Sequence, residues 1–354
     1  MVKGIAVLML LFHHLFNDYP EYEGHFVNYW PFTGDQVTAI ALACRVCVAV
    51  FVFVTGYGLA ASFEKAFPQG ARESRREMAR FSLSRWWSLM TRFWFVVVIA
   101  WVAGTFLGRS PFVVYGPGVG GTIARAFVDF MGLAEAFQSD RLNPTWWYMS
   151  LALLLIFAAP LVMSAAKRFG ALTLLVTYCL VMGCLKIETA TVVALPSYFF
   201  GVYCYEQRVF DRWNELWGEA RWGIPAKSVL LLACILCLLL FRENYNYLGV
   251  LDAILAASLC AVVMTCVCKI PYVSGALRVL GKHSDNMFFT HTLLYSYFFL
   301  DFYYSFQIPA IILAVLAATT LLLSWVLELI KDKSGYNIKM AQLGKRVVNL
   351  QLRP

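Results

Sequence analysis

Two adjacent histidines, His13 and His14, lie near the end of an otherwise apolar N-terminal run, MVKGIAVLMLLFHHLFN. Read as a short membrane-crossing helix, this run carries one cation, Lys3, at its inner end and both imidazoles deep inside. Ionisable groups at that depth are costly, so they mark function by default. Helical geometry separates the two. Lys3 and His14 are eleven residues apart, which at about 100° per residue returns to within roughly 20° of one face. His13 is displaced from that line by about 80°. An imidazole so placed can serve as a general base toward a hydroxyl. Taken alone, the pair reads equally well as interfacial polar residues bonded to neighbouring helices.

Three other intramembrane features could take part in the same chemistry. Arg45 lies some eight residues into a second apolar run, about 12 Å along a helix. A cation there can stabilise charge developing on an acyl oxygen, or form a structural ion pair with Asp252 or Asp301. Arg85 and Arg92, in SRWWSLMTRFW, occupy one helix face two turns apart. That spacing suits a ladder for phosphates, to which guanidinium groups are well matched. The third feature is LGKHSDNMFFTH, residues 280–291, at the expected entry to a later span. It brings His283, Ser284, Asn286 and His291 to what reads as a helix N-terminus, a natural anion site. His283 and His291 are about 80° apart around a helix, so a shared metal is not expected. GKHS lacks the upstream glycine of a phosphate-binding loop, and no G-x-S-x-G elbow supports a hydrolase triad.

The elements that must position these residues are membrane helices. The 354 residues are 60% hydrophobic, 16% aromatic and only 14% charged, against about 25% charged in globular proteins. We expect an all-α polytopic protein with ten spans, near 3–17, 37–62, 86–108, 145–166, 170–187, 190–206, 228–242, 248–268, 284–304 and 308–330. With both termini cytoplasmic, Lys and Arg divide 22 inside to 5 outside, as the positive-inside rule requires. An added or missing span would reverse every later loop and spoil that asymmetry. The formal charge of +8 therefore reflects topology and does not call for nucleic acid. No small-residue cleavage site follows the first run, which reads as a retained span.

The ten cysteines lie mostly inside apolar segments. Cys44/Cys47 and Cys234/Cys237 have C-x-x-C spacing, but neither has a second pair or nearby histidine to make a zinc site. The loop 18–36 is acidic and aromatic, with Tyr29, Trp30 and Phe32 suited to an interfacial belt or a sugar platform. Arg72, Arg75, Arg76 and Arg80 alternate with Glu73 and Glu77 in the loop 63–85, mostly a solvated helix. GPGVGG at 116–121 is turn chemistry. We take 1–330 as the membrane domain and 331–354 as a basic, mildly amphipathic tail, either on the anionic inner leaflet or disordered.

The ordered segments KGIAVLMLLFHHLF, FVFVTGYGLA, the arginine-bearing start of the third span, NPTWWYMSLALLLIFAAP and LGKHSDNMFFTH together resemble the membrane-bound acyltransferase family 3. These are polytopic enzymes that O-acylate cell-surface glycans, and the resemblance covers essentially the whole chain. It implies that Lys3 and His14 form the family's basic-x10-His pair, although arginine is the commoner cation. Arg45 matches a basic position of the second span, Arg85 and Arg92 the basic third-span segment, and Trp146 and Trp147 the aromatic pair of the fourth. His283, Ser284, Asn286 and His291 match the ninth-span motif. Ser88 stands where relatives often carry another basic residue, and Asp285 is unusual for its position.

The resemblance implies acetyl-CoA or a related acyl-CoA as donor, and no metal. The acceptor would be an extracytoplasmic polysaccharide or lipid-linked sugar, at the bacterial cytoplasmic (inner) membrane among its lipids. His14 and Arg45 would be catalytic, with His14 the general base. Lys3, Arg85, Arg92, His283 and Ser284 would face the donor, and Trp146, Trp147, Asn286 and His291 the acceptor. Asp18, counted as one turn beyond His14, would orient the imidazole. Direct transfer and an acyl-enzyme both remain open, as do the acceptor hydroxyl and the oligomeric state. The residues alone also admit a proton-coupled transporter of glycan precursors, but the chain shows no clear inverted repeat, and a transporter leaves the Lys3–His14 register without a role.

Overall fold

A computed structural model of the chain describes residues 1–18, 24–68, 74–187, 189–218, 220, 222–245 and 249–350. Arg72 and Glu73 of the basic loop, and the last four residues of the tail, lie outside them. Among the described residues the protein is all-helical, with no strand. In chain order the helices are α1 (Val2–Phe16), α2 (Gly34–Cys44), α3 (Cys47–Ala66), α4 (Arg75–Phe106), α5 (Pro111–Tyr115), α6 (Val119–Phe130), α7 (Trp147–Phe169), α8 (Ala171–Leu185), α9 (Ala190–Glu206), α10 (Val209–Glu215), α11 (Gly223–Tyr245), α12 (Val250–Thr265), α13 (Pro271–Thr292), α14 (Leu300–Tyr304), α15 (Pro309–Lys333) and α16 (Tyr336–Leu350).

Among the described residues six segments are long and apolar enough to cross a membrane: Gly34–Ala66, Arg75–Phe106, Pro144–Phe169, Gly223–Arg242, Val250–Lys269 and Pro309–Lys333. The protein is a multi-pass membrane protein. The first and fifth expected spans are the shorter apolar helices α1 and α8. Of the other segments, those of the third and ninth expected spans begin furthest ahead of expectation. Helix α4 starts at Arg75 because Ser74 and Glu77 form a capping pair, the serine oxygen accepting from the Glu77 N–H. Arg75, Arg76 and Arg80 thus sit on the first turns of a 32-residue helix.

The ninth expected span, 284–304, is the larger correction. Helix α13 begins at Pro271, so LGKHSDNMFFTH lies inside a helix and offers no free N-terminal amides. The helix-terminus argument for an anion site there fails. The run is polar because its side chains meet polar partners on α15, described below.

The chain packs as two compact units. One comprises Met1–His13, Ile40–Arg72 and Ala158–Lys282; the other comprises His14–Ala39, Glu73–Phe157 and His283–Pro354. The boundary passes between the two histidines of α1.

In the first unit α3 and α9 meet backbone to backbone. A Cβ at Gly56 would run into the Tyr198 carbonyl, and one at Gly201 into that of Phe53. Small residues permit such close approach in membranes, where burial of apolar surface gives helices no reason to associate. Phe53, Cys204, Phe210, Leu255 and Ala256 fill the core around them. Gly4 of α1 likewise abuts the Leu277 backbone of α13, and Gly281 abuts Gly4.

The second unit has its core among Phe93, Val97, Trp146, Met149, Phe289, Leu293 and Leu327. Helix α16 lies against α4: the Trp87 indole donates to the Met340 carbonyl at 2.8 Å, and the Tyr336 hydroxyl to that of Thr91 at 2.7 Å. Helices α5 and α6, between α4 and α7, form an insertion that hydropathy gives no reason to expect.

Candidate active site

Helix α1 is continuous through Phe16, so the register that places His14 and Lys3 on one face stands. The two histidines have different surroundings. His13 is buried, and its Nδ1 lies 2.8 Å from the Ala41 carbonyl, an acceptor only, so Nδ1 carries the proton and donates it. His14 is half-buried, its ring centroid 5.1 Å from that of His291 and the planes tilted by 45°. The Tyr304 hydroxyl donates to the Leu15 carbonyl at 2.8 Å where the helix ends. Asp18 is exposed and already beyond the helix, so it is not one helical turn along from His14.

His291 is fully buried. Its Nδ1–H donates to the Phe288 carbonyl at 2.8 Å, and its Nε2 lies 3.1 Å from the Thr292 hydroxyl. Tyr295 stacks on the ring with centroids 6.3 Å apart. The imidazole is therefore held on two edges and one face.

One residue before Thr290, the Phe289 carbonyl accepts two side-chain donors, Asn143 Nδ2 at 3.1 Å and Trp146 Nε1 at 3.0 Å. A carbonyl satisfied this way can release its place in the helical ladder. The α-helix gives way soon afterwards to a π turn, Leu293–Phe298, a geometry found often at functional sites. This is the structural work of the NPTWW segment. Trp146 is buried edge-on against Phe93, whereas Trp147 is partly exposed beside Tyr148.

The remaining candidates fall into two groups. Arg85 lies over the Phe81 ring at 3.5 Å and donates to the Phe81 carbonyl. Arg92 donates to the Ser88 carbonyl at 3.0 Å and pairs with Asp285, with side-chain exposures of 46% and 29%. Both arginines remain reachable from outside the core. His283, Ser284 and Asn286 are buried. The Trp325 indole donates to His283 Nε2 at 2.9 Å, and an indole N–H can only donate. The ring proton is therefore on Nδ1, given to Ser324 Oγ at 2.8 Å. Asn286 Nδ2 reaches Ser324 and Glu328, and Lys331 completes the chain on Glu328 at 2.8 Å.

Arg45 stands, exposed, in the two-residue break between α2 and α3, within the unit that does not contain His14. Of the two carboxylates considered as its partners, Asp252 accepts from Arg242 at 2.5 Å and Asp301 pairs with His25 at 3.2 Å. Lys3 is exposed in the first turn of α1. Among the described residues no three His, Cys, Asp or Glu side chains come together to hold a metal ion.

A family model described as an acyltransferase domain matches residues 1–329 of the 354. The chain belongs to the membrane-bound acyltransferase family 3. No curated protein and no solved structure matches it. The acyltransferase domain thus takes in both histidines of α1, the two candidate arginines Arg85 and Arg92 of α4, and the whole of α13. Sequence reasoning missed the facing of His14 by His291 and the partners that α15 supplies to α13. A signal for the second was present: Ser324, Glu328 and Lys331 recur at helical spacing in an otherwise apolar stretch.

Proposed function

We propose that this acyltransferase is an O-acyltransferase of the bacterial cytoplasmic membrane. It moves an acetyl group from cytosolic acetyl-CoA, or a related acyl group from its acyl-CoA, to a hydroxyl of an extracytoplasmic polysaccharide or glycolipid. His14 acts as general base. It takes the proton of the acceptor hydroxyl as that oxygen attacks the thioester carbonyl; the C–O bond forms, the C–S bond breaks, and the imidazolium returns the proton to the departing thiolate. Arg45 offsets charge developing on the carbonyl oxygen. Lys3, Arg85 and Arg92 are the reachable cations for donor phosphates. Trp147, the partly exposed member of its pair, offers a ring face to the acceptor sugar. His283 and Ser284, buried and tied to α15, support α13 from within.

The observation that carries this reading is the division between the two histidines. His13 is buried with Nδ1 on a backbone carbonyl, whereas His14 is half-exposed with its ring against His291. Its test is transfer of labelled acetyl from acetyl-CoA to glycan by membranes carrying His14→Ala or His13→Ala. Loss in the first and retention in the second is expected; retention in the first overturns the base assignment. Mass spectrometry of surface glycans with and without the gene should show one acyl unit fewer per repeat.

A further inference from the structure

Helix α6 presents three large apolar side chains outward at i, i+4 and i+8: Val119, Ile123 and Phe127, exposed by 63%, 64% and 62%. Phe112 and Val113 of α5 extend the same kind of surface. Several polar groups of the insertion are tied to its own backbone and to the chain beyond it. The Thr122 hydroxyl donates to the Gly116 carbonyl at 2.7 Å, and Arg125 donates to that of Tyr115. Asp129 accepts from the Tyr115 hydroxyl at 2.7 Å and from the Leu142 N–H at 2.8 Å. The apolar stripe is therefore held outward by a fixed frame rather than left loose.

Such a stripe facing water would forfeit roughly 25 cal/mol for every Å² exposed. What covers it follows from its neighbour in the chain. The C-terminal half of α4, a helix long and apolar enough to cross the membrane, exposes Val98, Val102 and Phe106 at the same i, i+4, i+8 spacing. That face of α4 meets lipid, and α5 begins five residues after α4 ends. Helix α6 has 12 residues, about 18 Å at 1.5 Å per residue, too short for a ~30 Å core. Its surroundings carry Arg109, Arg125, Asp129 and Asp140, which exclude a buried span.

We propose that α5 and α6 form an amphipathic element seated in the membrane–water interface at the C-terminal end of α4, with lipid as the partner of the Val119–Ile123–Phe127 stripe. The element hangs on Leu142, whose carbonyl also accepts from Arg109 at 3.0 and 2.8 Å. The next residue, Asn143, is one of the two side-chain donors to the Phe289 carbonyl, two residues before His291. The lipid contact and the histidine site thus share one strap of chain.

The test places a nitroxide, carried on an unnatural amino acid, at position 123 and in a second variant at 127. The full-length protein is reconstituted in phosphatidylcholine nanodiscs holding one copy each. Relaxation by oxygen is then compared with relaxation by a water-soluble nickel chelate. Oxygen should dominate at both positions, as at 102 on α4, while nickel dominates at 140. Nickel access at 123 and 127 equal to that at 140 would overturn the proposal. Exclusion of both reagents would also overturn it, since protein rather than lipid would then cover the face.

Discussion

His14 and His291 bring their rings to 5.1 Å between centroids from opposite ends of the chain. A half-buried imidazole is thereby set against one that is fully buried and held on several sides. Replacing His14 by Ala should lower turnover by about 10²–10⁴-fold, the usual contribution of a positioned base. His291→Phe keeps an aromatic ring over Tyr295 but loses the bonds to Phe288 and Thr292. Turnover should fall in that variant while the KM for donor is unchanged, as steady-state kinetics on purified protein would show. An unchanged kcat with a raised KM would instead place His291 on a substrate.

The pairing of Arg92 with Asp285 sets a carboxylate in competition with any incoming phosphate. Arg92→Ala should weaken binding of CoA by more than about tenfold, the scale of a charged hydrogen bond. Asp285→Asn should tighten it by about threefold, the scale of a partly exposed ion pair. Titration calorimetry reads both. Weaker binding in Asp285→Asn would mean that the carboxylate orients the guanidinium for the donor.

Trp325→Phe removes the indole donor to His283 Nε2 while keeping an aromatic ring. Leaving a buried acceptor without that bond should cost about 1–3 kcal/mol of stability. Activity per folded molecule should be preserved, because His283 is a structural residue in this reading. A large drop in turnover at unchanged melting temperature would give it a part in the chemistry.

At the crossing of α1 with α13, a methyl group on Gly4 would meet the Leu277 carbonyl, which is backbone and has nowhere to go. Gly4→Ala should destabilise by about 1–3 kcal/mol, as overpacking generally does, whereas Gly275→Ala, with open space around it, should be near neutral. Thermal unfolding in detergent distinguishes the two.

Asp129 supplies a pH signature. Burial pushes its carboxyl up from 3.8 to about 6, against the opposing effects of the Leu142 N–H, the Tyr115 hydroxyl and the Arg141 charge. Between those values the folded protein keeps a proton that the unfolded chain releases. The contribution of Asp129 to stability is therefore fullest below about pH 4 and is lost as pH rises through about 6, on the order of 3 kcal/mol. Asp129→Asn should remove that decline while keeping an acceptor for both donors. Melting curves of the two proteins that stay parallel from pH 4 to 7.5 would contradict this.

Much of the frame was legible because apolar content and helical periodicity are properties of single segments. The helix Ala190–Glu206 falls where hydropathy put it, and the face shared by Lys3 and His14 needed only the pitch of a helix. What could not be read was pairing across the chain. Nothing in LGKHSDNMFFTH announces that Ser324, Glu328 and Trp325 wait opposite, so its polarity looked like a helix end. The amphipathic helix α6 is hard to read from hydropathy because its 12 residues are too few for a span and charged and small residues separate its apolar ones. Arg92 illustrates the middle case: the helix face it shares with Arg85 follows from spacing, its counter-charge on α13 does not.

The π turn at Leu293–Phe298 makes this part of the chain sensitive to length rather than to composition. A π turn holds more residues than the α turn it replaces. Removing one residue while the rest of the turn kept its π geometry would swing every side chain beyond by about 100°. The Tyr304 hydroxyl would leave the Leu15 carbonyl, and Asp301 would leave His25. Substitutions along the turn leave that residue count unchanged, whereas such a deletion would undo, in one step, the anchor that closes the histidine-bearing helix.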